Sequence, residues 1–187
     1  MKQEMSSVDI KYIIEELKTL EGARVDKIYQ DRDQVRIKLH VTGEGRKDLI
    51  IEAGKRIHLT TYIKEAPQHP SSFTMLLRKY LSGSRVEKIE QHDFDRIVKL
   101  KIGNYSLIAE LFRKGNIILV DENNMIISAM RYEEFKDRAI KPKHVYILPP
   151  ARENPVDISW ESFRAVSYTH LRAHETRHDL VCRLLLE

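Results

Sequence analysis

The pattern that most restricts this chain is a change of apolar period, from helical to alternating, made twice. In "SSVDIKYIIEELKTLEG", Ile10, Ile13, Ile14, Leu17 and Leu20 recur at helical spacing. Ser6 is placed to cap that helix and Asp9 sits three residues on, a capping-box arrangement, with Gly22 as the expected stop. The period then drops to two. In "DQVRIKLHV", Val35, Ile37, Leu39 and Val41 alternate with Arg36, Lys38 and His40, which is a strand with one dry face. "RVDKIYQ" is its hairpin partner, turned through "DRD". "DLIIEA" and "RIHLTTY" are two further strands around a turn at Gly54, and "TGEGRKD" reads as a loop.

The same succession follows a linker, "KEAPQHPSS", whose two prolines interrupt any ladder. A second helix in "SSFTMLLRKYLSG" aligns Phe73, Leu76, Leu77, Tyr80 and Leu81. "RVEKIEQ", "RIVKLKI", "YSLIAELF", "NIILVD" and "MIISAM" are short strands, with Gly103-Asn104 a two-residue hairpin turn. "KPKHVYILPP" is predicted to leave the domain extended. The expected fold is α+β, a β-sandwich of two β-rich halves, each preceded by a helix.

A length of 187 residues allows one domain and the start of a second. Residues 166–187, "VSYTHLRAHETRHDLVCRLLLE", carry no period that continues the pattern. They resemble a translated sequencing adapter and are set aside as non-native, although "DLVCRLLLE" is apolar enough for a genuine terminal helix. The expected division is a domain over 1–150, a truncated linker or following domain over 151–165, and the tail. The natural protein is expected to continue further.

Setting the tail aside removes Arg172, Arg177 and Arg183 with Glu175, Asp179 and Glu187, so the formal charge stays at +4. It also removes Cys182, the only cysteine. His40, His58, His69, His92 and His144 show no ligand spacing, so neither a metal nor a cofactor is expected. No apolar run approaches the roughly 20 residues that span a bilayer. "MKQEMSSVDI" has no apolar h-region. A cytoplasmic protein without a membrane partner is the expectation, and its charge permits a polyanionic one.

Arg96 shares parity with Val98, Leu100 and Ile102, so alternation turns it toward the apolar side at the strand's open end. A guanidinium there needs a carboxylate, for which Asp93 and Asp95 are at hand, or a ligand. Asp9 has a structural role open to it as a capping residue. Arg78 and Lys79 precede Tyr80, on which a base could stack, but Tyr80 also belongs to the helix's apolar stripe. Arg113 and Lys114 form a basic turn suited to phosphate or simply to water.

"SSVDI", "LEGARVDKIYQ", "LLRKYLSG", "IEQHDFDRIV" and "NIILVD" occur in the order found in the NFACT-N domain of the RqcH/NEMF proteins, also known as fibronectin-binding-protein-like. The resemblance covers residues 6 to 150, and "MSSVDI" is most similar to archaeal members. It implies a binding module of a ribosome quality control factor, not an enzyme. Such factors engage a large ribosomal subunit holding peptidyl-tRNA, bring in tRNA, and support untemplated alanine tailing. It further implies tRNA contacts at Asp9, Asp95 and Arg96, with Arg78, Lys79, Arg113 and Lys114 as possible RNA backbone contacts. The family's helix-hairpin-helix, coiled-coil and C-terminal RNA-binding parts are not in this sequence.

A carboxylate facing RNA is repelled by phosphate, so Asp9 and Asp95 would accept from base amino groups or ribose hydroxyls. The resemblance also implies a fold related to the N-terminal domain of Fpg-type DNA glycosylases. Those enzymes attack with an N-terminal proline, whereas this chain begins "MKQEM". Glycosylase activity and surface adhesion to fibronectin are the alternative functions.

Overall fold

The computed structural model describes residues 4–62, 67, 69–134 and 138–148. The segments expected as a following domain (151–165) and an adapter-derived tail (166–187) lie outside the described residues, as do residues 64–66 and 68 of the linker.

Helix α1 (Ser7–Leu17) starts where the capping box places it. Asp9 Oδ2 accepts from the Ser6 amide at 2.6 Å and the Ser6 hydroxyl at 2.7 Å, while Ser6 Oγ accepts from the Asp9 amide at 3.3 Å. The helix buries Ile10, Ile14 and Leu17, then tightens into a 3-10 turn over Lys18–Leu20, short of the expected stop. Gly22 takes φ +85° and donates to the Val86 carbonyl at 2.7 Å.

Strands β1 (Arg24–Asp31), β2 (Gln34–Val41), β3 (Gly45–Glu52) and β4 (Arg56–Thr60) form an antiparallel sheet in chain order. β3 begins at Gly45, so much of the expected "TGEGRKD" loop is strand. β2 offers a partner at every position from Gln34 to Val41, and the ladder continues to Val41↔Gly45. Helix α2 (Ser72–Leu81), capped by Ser71, precedes the second sheet. That sheet holds β5 (Val86–Gln91), β6 (Ile97–Ile102), β7 (Tyr105–Glu110), β8 (Asn116–Val120) and β9 (Ile126–Ala129), also in chain order.

Inward residues of both sheets, including Ile37, Leu39, Leu49, Leu100 and Leu107, form one core with Ile10, Leu17 and Leu77. Each such side chain contributes about 1.5–3 kcal/mol. Every residue of β8 is buried, so the second sheet needs cover on its outer face as well. A smaller cluster supplies it, with β10 (Glu133–Glu134), β11 (Ala139–Ile140) and Tyr146.

Residues 141–148 of "KPKHVYILPP" therefore fold back over this face instead of leaving extended, and its last two prolines lie outside the described residues. Ile126 N donates to the His144 carbonyl and Tyr146 N to the Asn124 carbonyl, each at 2.8 Å. The Tyr146 hydroxyl donates to Glu110 Oε1 at 2.8 Å, and Arg138 Nη1 donates to the same oxygen at 2.6 Å.

Candidate nucleic-acid interface

Asp95 and Arg96 close the turn between β5 and β6. The Asp95 carboxylate accepts from the Arg96 amide at 2.7 Å, and the Asp95 amide donates to the His92 carbonyl at 3.0 Å. Asp93, at φ +46°, stands against His92 Nε2 at 3.3 Å. Neither aspartate pairs with the Arg96 guanidinium, contrary to expectation, because each is turned onto its own loop. The ion-pair partner is Glu4: Arg96 Nη2 donates to Glu4 Oε2 at 3.0 Å and to the Gly54 carbonyl at 3.2 Å. Arg96 Nε is buried with no hydrogen-bond partner among the described residues. The inward parity holds, since Arg96 reaches across to the first sheet while Val98, Leu100 and Ile102 enter the core.

One side chain brings the start of α1 to this turn. Gln91 Nε2 donates to the Ser7 carbonyl at 3.0 Å and to the Asp95 carbonyl at 2.8 Å. The capped end of α1, with half-buried Asp9, is thereby held against the Asp95–Arg96 turn. Met5 N adds a bond to the Lys55 carbonyl at 2.8 Å.

The basic turn between β7 and β8 meets the same rim. A Cβ on Gly54 would lie 2.5 Å from the Arg113 carbonyl oxygen, so the two turns touch through backbone. Arg113 (φ +54°) and Lys114 are exposed there. Arg78 and Lys79 are not part of this group. Arg78 Nε donates to the Ile28 carbonyl at 2.7 Å, which ties α2 to β1, and Lys79 lies 5.4 Å over the Tyr80 ring. Tyr80 packs edge-on against Tyr105 at 5.0 Å, a core role.

Glu4, Gln91 and Gly54 were not legible as site residues. Glu4 and Arg96 are 92 positions apart, and Gln91 looks like any strand-end polar residue. The rim presents carboxylates, a guanidinium and two exposed cations around backbone turns, a set suited to hydrogen-bonding polar planar groups beside phosphate. Among the described residues no group of three His, Cys, Asp or Glu could hold a metal ion, and no helix is long and apolar enough to cross a membrane.

The family described as NFACT N-terminal and middle domains matches residues 6–183. The archaeal Rqc2 homolog aRqcH of Methanocaldococcus jannaschii is 41% identical over 172 residues, covering 86% of this chain and 26% of that protein. Ribosome quality control complex subunit 2 of Saccharomyces cerevisiae is 36% identical over 137 residues, covering 70% of this chain and 13% of its own length. The chain thus spans about a quarter or less of these relatives. Among solved structures, the N-terminal domain of the fibronectin-binding protein PavA from Streptococcus pneumoniae superposes with a TM-score of 0.78 at 32% identity. That match covers 89% of this chain and 73% of that one.

Proposed function

The chain belongs to the NFACT family, and from that membership we propose that it is the N-terminal part of a ribosome quality control factor whose Asp9–Asp95–Arg96 rim contacts tRNA. In this reading it works in the cytoplasm on large subunits that still hold peptidyl-tRNA, and supports tailing by binding tRNA, with no catalysis of its own. The observation that carries the proposal is the Gln91 amide shared between Ser7 and Asp95, which gathers two distant parts of the chain onto one rim. Asp9 and Asp95 would then read base or ribose donors, Arg96 a base edge, and Arg113 and Lys114 the backbone.

The test is filter binding of tRNA to Arg96→Ala at two salt concentrations. Loss of a base contact should cost about 1–3 kcal/mol and narrow the difference between tRNAs, with the salt slope kept. Unchanged binding together with a lowered melting temperature would mean that Arg96 is only a structural ion pair. The solved structures of similar fold are named for fibronectin binding, so immobilised fibronectin belongs in the same assay, with no binding expected.

A further inference from the structure

The outer face of the first sheet carries a cleft that the rim described above does not use. Strand pairing sets Tyr29, Arg36, Ile50 and His58 in a single row across β1, β2, β3 and β4. Asp31, Gln34, Glu52 and Arg56 form the next row on the same face. Together with Tyr62 they line a cleft of about 250 Å³.

Its chemistry is specific. Ile50 is only 5% exposed yet belongs to neither apolar cluster, so it is a dry floor beneath polar walls. The Arg36 guanidinium lies 4.5 Å over the Tyr29 ring, giving a flat, stacked wall beside that floor. Tyr62 is 90% exposed. His58 lines the cleft, and its Nδ1 is buried with no hydrogen-bond partner among the described residues, so a turn of the ring would bring an unsatisfied nitrogen to a polar group in the cleft.

Charge narrows the ligand. The lining acids Asp31 and Glu52 match Arg36 and Arg56 in number, Arg36 also stands 3.9 Å from the carboxylate of buried Asp48, and the Glu52 oxygens are already held by Lys55 at 2.7 Å and Arg56 at 2.9 Å. A balanced cleft gives no strong pull on a bare phosphate. It suits a neutral, planar, heteroaromatic group whose polar edge reaches His58 while its face rests on Ile50 and the Tyr29–Arg36 stack.

We propose that this cleft binds one unpaired nucleobase of a single-stranded RNA segment, between the Tyr29–Arg36 stack and His58. The choice of RNA as the occupant rests on the function proposed above, but none of the cleft's lining residues is Asp9, Asp95 or Arg96.

The His58 ring resonances of the full chain, followed by NMR during titration with AMP, GMP, CMP and UMP and with inorganic phosphate, test this. At least one mononucleotide should shift them saturably, and phosphate should not. His58→Phe should weaken that binding about tenfold, and Arg96→Ala should leave it unchanged. Should His58→Phe misfold, Tyr62→Ala alters an exposed wall and should weaken binding at least about threefold. The proposal is overturned by silence toward all four mononucleotides, by an equal response to phosphate, or by loss of binding in Arg96→Ala. An equal response to a short peptide bearing tyrosine would overturn it too, because the cleft would then be taking any flat side chain.

Discussion

A Cβ built on Gly115 would stand 1.8 Å from the backbone nitrogen of Gly54, so the β7–β8 and β3–β4 turns meet where no side chain fits. This contact joins the two sheets at the rim. Gly54 N donates to the Glu110 carbonyl at 3.0 Å, and Gly54 O accepts from Arg96 at 3.2 Å. The position of the Arg96 guanidinium therefore depends on a glycine nineteen places further along.

Gly115→Ala should be severely destabilising. The residue sits at φ +61°, where an L side chain adds roughly 1–2 kcal/mol, and the clash is with backbone that has no rotamer to yield. A total loss of about 2–4 kcal/mol is expected in urea unfolding, with tRNA affinity reduced as in Arg96→Ala. A loss below about 0.5 kcal/mol would mean that the turns separate freely.

Glu4→Gln should act in the opposite direction on binding. Glu4 is half-exposed and its pair with Arg96 contributes about 0–1 kcal/mol, so stability should barely change. Removing the negative charge loosens Arg96 Nη2, which keeps its bond to the Gly54 carbonyl, and lifts a repulsion toward phosphate. Filter binding should show tRNA held about two- to fivefold more tightly at low salt, with the gain fading as salt rises. Weaker binding would make Glu4 part of the contact, not its competitor.

The sequence made the ladder legible because the apolar residues of β2 alternate cleanly and those of β6 do so from Val98 onward, and the Ser6–Asp9 cap was equally plain. The outer cover of the second sheet was not, because "NIILV" is apolar on both faces and a continuous run has no period to show where its second partner comes from. At the site, parity alone pointed Arg96 inward. Its partner stayed hidden, since nothing local distinguishes Glu4 from Asp93 or Asp95. Long-range closure at Gly54 and Gly115 leaves only a glycine in each turn as its sign.

Tyr146 should govern alkaline unfolding. Burial, and then the neighbouring Glu110 carboxylate, push its phenol far above the ordinary 10.0, with Arg138 opposing. The folded form keeps its proton while the unfolded chain loses it near pH 10, so stability is full below that value and falls as pH rises through it. Absorbance at the phenolate band should show Tyr146 ionising only as the protein unfolds. Tyr146→Phe should remove this step and cost about 1.5–3 kcal/mol at neutral pH, the worth of a hydrogen bond to a carboxylate. A Tyr146 that titrates normally in the folded protein would contradict the bond to Glu110.

His58 should set the response to mild acid. Burial, and next the charge of Arg56, hold its pKa below the ordinary 6.5, while Glu52 and Glu16 pull the other way. The unfolded chain therefore takes up a proton first as pH falls, and the folded chain takes it up only further down. Stability is complete above about pH 6.5 and declines toward the folded value, with a slope of at most about 1.4 kcal/mol per pH unit from this one group. His58→Phe keeps a ring of similar bulk and has no proton to gain, so its urea midpoint should rise relative to that of the wild type as pH drops below 6.5. Parallel pH profiles for the two proteins would show that His58 is charged or solvated in the fold, and the dry cleft beside Ile50 would lose its buried nitrogen.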